Sequence, residues 1–273
     1  MGFDYIDVHS HLYFPDFDKD RDEEIERLKK EKIATINIGT DLESSKKSID
    51  LANLHENLFA SVGWHPGDIT LENKVGDISP TFEKLAENKK VVAIGECGLD
   101  YYRIDENNAR LKEVQNKIFQ SHIDLSLSLD KPLMLHIRPQ KGTMDAYNDA
   151  LDILESQAKI SGGKLRGNVH FFVGDINVLK RFLDLGFTVS FTGVITFARD
   201  YDDVVKYAPL DMILSETDAP FVAPEPYRGK RNSPLYVTEV VKRIAQIREE
   251  SEEDVKTALR NNAIRVFALE KFL

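Results

Sequence analysis

Short apolar, β-branched runs recur along the chain at Tyr5–Val8, Ile33–Ile38, Phe59–Val62, Val91–Ile94, Leu133–Ile137, Asn168–Phe172, Phe187–Phe191 and Met212–Leu214. Between them, charged segments carry apolar residues at helical spacing: Arg21–Lys30, Glu43–Glu56, Phe82–Lys89, Leu111–Leu129, Ala146–Lys159, Val178–Leu185 and Val204–Tyr207. Strand alternating with helix predicts an α/β fold with a parallel sheet, and eight repeats predict closure into a (β/α)8 barrel of the TIM type. The helical pattern is shortest in the third and seventh units, where irregularity is expected. Ser233-Pro234 opens a further helix over Tyr236–Arg248, and Ser251-Glu-Glu-Asp opens another through Arg260, so extra C-terminal helices complete the outer layer. No Gly/Ser/Pro linker or charged tract divides the chain, and residues 1–273 are expected to form a single domain.

Composition narrows the class. With 42% hydrophobic and 30% charged residues, the chain can build a core and has no compositional case for disorder. A single cysteine, Cys97, excludes a disulfide-stapled scaffold. The opening MGFDYIDVHSH has an acid at position 4 and no long apolar run, unlike a secretory or transit segment, and nothing approaches the roughly 20 apolar residues of a membrane span. A soluble, cytoplasmic protein is expected, with no membrane association and no obligate protein partner. The net charge of -10 repels polyanions at long range, so any contact with nucleic acid requires a basic loop or bound cations to reverse the sign locally.

In such a barrel, chemistry gathers where the strands end. The first strand ends in Asp7-Val8-His9-Ser10-His11, the third in Gly63-Trp64-His65-Pro66, the fourth in Gly95-Glu96-Cys97-Gly98 and the fifth in His136-Ile137-Arg138; the sixth ends at His170 and the eighth in Ser215-Glu216-Thr217-Asp218. His9 and His11, two apart on an extended strand, point the same way and can reach one ion. Taken singly, each residue has a plainer reading: two structural histidines, Glu96 paired with Arg138, or Asp218 capping the turn before Pro220. Together, His9, His11, Glu96, His136, His170 and Asp218 converge on one mouth, and six nitrogen and oxygen ligands suit two ions sharing a bridging carboxylate.

The strings DVHSHL, GWHP, IGECGLDYY, LHIR, VHFF, SETDAP and RGKRNSP resemble the TatD family of metal-dependent deoxyribonucleases, within the amidohydrolase-like barrels, from Asp7 to about Pro234. The resemblance implies that His9, His11 and Asp218 hold one divalent metal ion, that His136 and His170 hold a second, and that Glu96 bridges them. It also implies phosphodiester cleavage in DNA, often from an end, and places His65 facing the substrate. One departure stands out: after His170 the family commonly has Cys-Phe and a small pair, whereas this chain reads Phe171-Phe172-Val173-Gly174, a larger residue that either narrows the pocket or alters access and so bears on substrate choice more than on catalysis.

Around the ligands, Asp100 is expected to orient a metal-bound histidine, with Tyr101 and Tyr102 nearby, and Glu216 to orient a ligand or pair with a base. Trp64 either stacks on a base or packs in a loop. Cys97 is read as a buried small hydrophobe rather than a nucleophile, and His55 and His122 as ordinary helix residues. Arg228, Lys230 and Arg231, in a glycine-containing loop before a helix, suit phosphate binding, against a solvated surface loop as the plainer reading. The mechanism expected is a water activated between two dications, with Asp218 taking its proton and Glu96 and His65 completing the catalytic set. The same centre would also serve amide, lactone or aminoacyl ester hydrolysis, and a noncatalytic, metal-stabilised adaptor is the reading from another class. Four imidazoles favour zinc, cobalt, nickel or manganese, whereas phosphoryl chemistry often uses magnesium.

Overall fold

The computed structural model describes residues 2–71, 79–104 and 108–272. Eight parallel strands pair in sequence order: β1 (Tyr5–Ser10), β2 (Ile33–Ile38), β3 (Leu58–Val62), β4 (Val91–Asp100), β5 (Leu133–Arg138), β6 (Gly167–Val169), β7 (Thr188–Phe191) and β8 (Ile213–Ser215). Between them lie α1 (Arg21–Lys30), α2 (Leu42–Leu54), α3 (Ser79–Ala86), α4 (Ala109–Leu129), α5 (Asp145–Ser161), α6 (Ile176–Asp184) and α7 (Asp202–Tyr207); α8 (Val237–Arg248) and α9 (Glu252–Phe267) follow β8. The order β1 to β8, with a helix after each strand, is the predicted (β/α)8 barrel. The segment after β8 closes it against β1: the Asp218 amide donates to the His9 carbonyl (2.9 Å) and the His11 amide to that of Ala219 (2.8 Å). Among the described residues, no helix is long and apolar enough to cross a membrane.

Alternation along β1 and β2 sorts the side chains. Ile6, Val8, Ala34, Ile36 and Ile38 join an apolar cluster with Ala263, Val266 and Phe267 of α9. Their neighbours Asp7 and Thr35 take the opposite face, as a period of two requires, and are buried as a polar pair. Asp7 accepts from the Thr217 amide (2.9 Å) and hydroxyl (2.7 Å), so a buried carboxyl group spans the seam where the barrel closes. Burial pushes that carboxyl up, to about 8, against the donors around it.

Two strands depart from the expected bounds in ways that shape the site. β4 runs six residues past Ile94, because its pairing with β5 resumes after an irregularity, matching Gly98 to His136 and Asp100 to Arg138. Gly98 sits at φ 136°, and a Cβ there would run into the His136 carbonyl oxygen, so only glycine lets the strands approach. β6 is shorter than expected and stops at Val169, leaving His170 on the loop that follows. His55 lies just past α2 with extended backbone, not inside a helix.

Candidate metal centre and the mouth of the barrel

Glu96 occupies the middle of the cluster. Its Oε1 lies 3.0 Å from His136 Nδ1, 3.1 Å from His170 Nε2 and 3.6 Å from His65 Nε2, while Oε2 lies 3.6 Å from His9 Nε2. Asp218 Oδ1 lies 3.7 Å from His9 Nε2 and 3.5 Å from His11 Nε2. Ligand atoms of His9, Glu96 and His170 form one group spanning no more than 4.8 Å, and those of His9, His11 and Asp218 form another. His9 belongs to both, its ring stacked on that of His170 at 3.7 Å.

Neither ring nitrogen of His9 has a hydrogen-bond partner, although the residue is fully buried. A buried unpaired polar atom costs about 1–3 kcal/mol, so a fold that keeps His9 Nε2 unpaired between the Glu96 and Asp218 carboxylates is arranged for a group that would satisfy it. A nitrogen- and oxygen-rich set with unpaired imidazole nitrogens fits divalent cations. Electrostatics agree: burial would raise the Glu96 carboxyl, yet the surrounding His65, His9 and His170 hold it well below the usual carboxylate range. Asp218 is likewise held down against its burial by His11, His9 and His170.

The residues around this cluster act on it through defined atoms. Burial works against charge on His136, but Asp100 and Glu96 outweigh it and raise its pKa. His136 Nε2 lies 3.1 Å from Asp100 Oδ2, which leaves Nδ1 facing Glu96. His65, Asp100 and His136 form a third group of candidate ligands, but in it the His136 nitrogen facing Asp100 is already paired. Glu216, fully buried, accepts from the Phe171 amide (2.5 Å) and the Ser190 hydroxyl (2.7 Å), and its Oε1 lies 3.5 Å from His170 Nδ1. Ser190 in turn accepts from Asn168 Nδ2 (2.7 Å), so β6, β7 and the segment after β8 jointly fix the second face of His170.

His65 Nδ1 accepts from the Gly67 amide (3.0 Å), so the ring's proton is on Nε2, 3.2 Å from His136 Nδ1. Burial, followed by His136, lowers its pKa to about 4, so at neutral pH it is a neutral hydrogen-bond donor rather than a proton store. His122, read from the sequence as an ordinary helix residue, is fully buried in α4: its Nδ1 lies 2.8 Å from the Ile118 carbonyl and its Nε2 accepts from the Trp64 amide (3.0 Å). It thereby anchors the Trp64–His65 turn from behind. Trp64 packs edge-on against Phe82 of α3. Cys97 is fully buried, and burial pushes its thiol well up, as an unreactive hydrophobe requires. Tyr101 points away from the cluster, its hydroxyl donating to Asp149 (2.9 Å).

The match to known proteins is nearly full-length. The model of the TatD related DNase family matches residues 6–268. The chain belongs to the TatD family. It is 34% identical over 267 residues to the uncharacterized metal-dependent hydrolase YabD of Bacillus subtilis, covering 97% of this chain and 99% of that one. It is 33% identical over 271 residues to the metal-dependent hydrolase YcfH of Escherichia coli, covering 97% and 96%. The crystal structure of YjjV, a TatD homologue from Escherichia coli, superposes with a TM-score of 0.85 at 28% identity, covering 98% and 99%. This TatD chain is accordingly a member of a family of metal-dependent hydrolases.

Above the cluster, the mouth of this TatD barrel is a cavity of about 700 Å³. Phe171 lines it, at φ 48°, in a region a bulky side chain rarely adopts; its amide is held by Glu216. The basic loop after β8 is placed differently from its sequence expectation. Arg231 makes a two-pronged ion pair with Asp20 (2.6 and 2.7 Å), and Arg228 donates to the Ala223 carbonyl and lies over the Phe197 ring. Lys230 is exposed, and none of the three lines the cavity. Among the described residues, the arginines that do are Arg103 and Arg138. For Arg138 a signal existed, since it stands two residues beyond His136 on the same strand face; Arg103, on a loop, gave none.

Proposed function

We propose that this protein hydrolyses phosphodiester bonds in DNA with divalent cations bound at the strand ends. The observation that carries the metal-assisted part is the fully buried His9, with both nitrogens unpartnered, between the Glu96 and Asp218 carboxylates. DNA as substrate is supported by the family's description and by arginines at the mouth of an acidic protein. His9, His11 and Asp218 would hold one cation and His136, through Nδ1, and His170, through Nε2, a second, with Glu96 reaching both. Bound there, divalent cations such as manganese, magnesium or zinc lower the pKa of a water and neutralise phosphate oxygens.

The chain's own groups divide the remaining work. Asp218 takes the proton of the attacking water. Asp100 holds the His136 ring in one orientation, and Glu216 does the same for His170. His65, neutral with its proton on Nε2, donates a hydrogen bond to the developing negative charge on the phosphate. The test is cleavage of 5′- and 3′-labelled single- and double-stranded DNA by protein reconstituted with each cation, run beside an ester and an amide. Turnover of DNA above both carbonyl substrates is the expected result; turnover of the ester or amide alone would move the assignment to carbonyl hydrolysis, and no turnover of any would favour an adaptor.

A further inference from the structure

Arginines in this protein are nearly all committed to partners. Among the described residues, only Arg103, Arg110 and Arg138 make neither a hydrogen bond nor an ion pair through the guanidinium. Two of these three, Arg103 and Arg138, line the mouth. Arg138 is exposed at the end of β5 and lies 3.9 Å from the centre of the Tyr102 ring, which holds the plane of the guanidinium while leaving its N–H edge open. Two residues nearer the barrel on the same face, about 6.6 Å along the strand, stands His136. A free guanidinium one step out from the cluster is placed to take an anion that continues beyond the reacting group.

The opposite wall has the reverse character. Phe14 and Phe221 meet edge-on at 5.7 Å beside His11, and Phe221, 46% exposed, lines the cavity. Cations therefore stand on the β4–β5 side and phenyl rings on the β1–β8 side. A carbonyl substrate of uncharged character would have no use for this polarity, whereas a strand carrying a phosphate on every residue would.

We propose that Arg138, supported by Arg103, is the positioning site for the phosphate adjacent to the one being cleaved, and that the Arg228–Arg231 loop is not. The inference rests on the phosphodiester reading above and assigns it a direction across the mouth. Because the planar fork binds two phosphate oxygens at once, lysine should replace it only in part.

The experiment uses full-length protein with manganese, a fluorescently labelled single-stranded oligonucleotide, and four proteins: wild type, Arg138→Ala, Arg138→Lys and Arg110→Ala. Anisotropy gives affinity against salt, and cleavage gives KM and kcat separately. Arg138→Ala should raise KM on the order of tenfold or more, with a smaller change in kcat, as expected for losing a charge-assisted contact. Its log affinity against log salt should flatten by about 0.7, the contribution of one contact to a single strand. Arg138→Lys should recover the salt slope but only part of the KM, and Arg110→Ala, free of partners but away from the mouth, should change neither. If wild type cleaves the oligonucleotide and Arg138→Ala keeps both its KM and its salt slope, the inference is overturned while the nuclease reading stands. If wild type neither binds nor cleaves it, both fall together.

Discussion

Glu96 and Asp218 hold the cluster together through charge, and they should fail in different ways when changed. Glu96 contacts His136, His170, His65 and His9, so Glu96→Ala should weaken cation binding throughout the cluster. Elemental analysis should show about two ions in reconstituted wild type and fewer in the variant; equal loading would remove Glu96 as a bridge. Asp218→Asn keeps shape and an oxygen but cannot accept a proton at neutral pH. Hydrolysis should drop at least about a hundredfold with a smaller change in substrate affinity, and near-normal turnover with full metal would exclude it as the base. Glu216 touches the cluster only through the outer face of His170, so Glu216→Gln should lower cation affinity by roughly 10–100-fold while leaving the ligands themselves intact. Isothermal titration of the apo protein with zinc or manganese measures it, and unchanged affinity would reduce Glu216 to a carrier of the Phe171 amide.

At the scale of elements, the site depends on a helix that contributes nothing to its lining. α4 inserts His122 behind the turn that carries His65, and the two hydrogen bonds there require a neutral ring with its proton on Nδ1. Burial lowers its pKa from the usual 6.5 to about 4. In the unfolded chain the ring takes up a proton below pH 6.5, whereas in the folded chain it does so only near 4. The stability it contributes is therefore complete above pH 6.5 and is lost as pH falls from 6.5 towards 4, by roughly 3 kcal/mol. Denaturant midpoints of wild type and His122→Gln should converge across that window, and parallel curves would show that the ring is not held neutral. The long β4 makes a comparable demand, because its pairing with β5 past Ile94 is what sets Asp100 beside His136.

For the whole molecule, the barrel gathers into one mouth side chains that are up to 209 residues apart in the chain, from His9 to Asp218, and their unpaired nitrogens leave stability to be gained on binding. Cation at about a hundred times its dissociation constant should add roughly 2.7 kcal/mol, and a chelator should remove it, shifting the melting temperature by several degrees. A melting temperature indifferent to both would show that the cluster does not bind cations. Much of this architecture was already written in one dimension: alternating apolar and amphipathic runs specify strands and helices through local periodicity, and eight repeats of one unit specify the barrel. Strand-end position likewise picked out His9, His11, Glu96, His136, His170 and Asp218 as neighbours, because barrel closure brings equivalent ends together whatever the loops do. Periodicity could not extend β4 across Gly95 and Gly98, since close backbone approach is a property of two strands. Nor could it show that His122 is buried behind the His65 turn. The basic loop marks the clearest limit. Arg228, Lys230 and Arg231 read as phosphate ligands by composition, but a cation's availability depends on which acid the fold sets opposite it, and Asp20 lies opposite Arg231 while no carboxylate among the described residues pairs with Arg138.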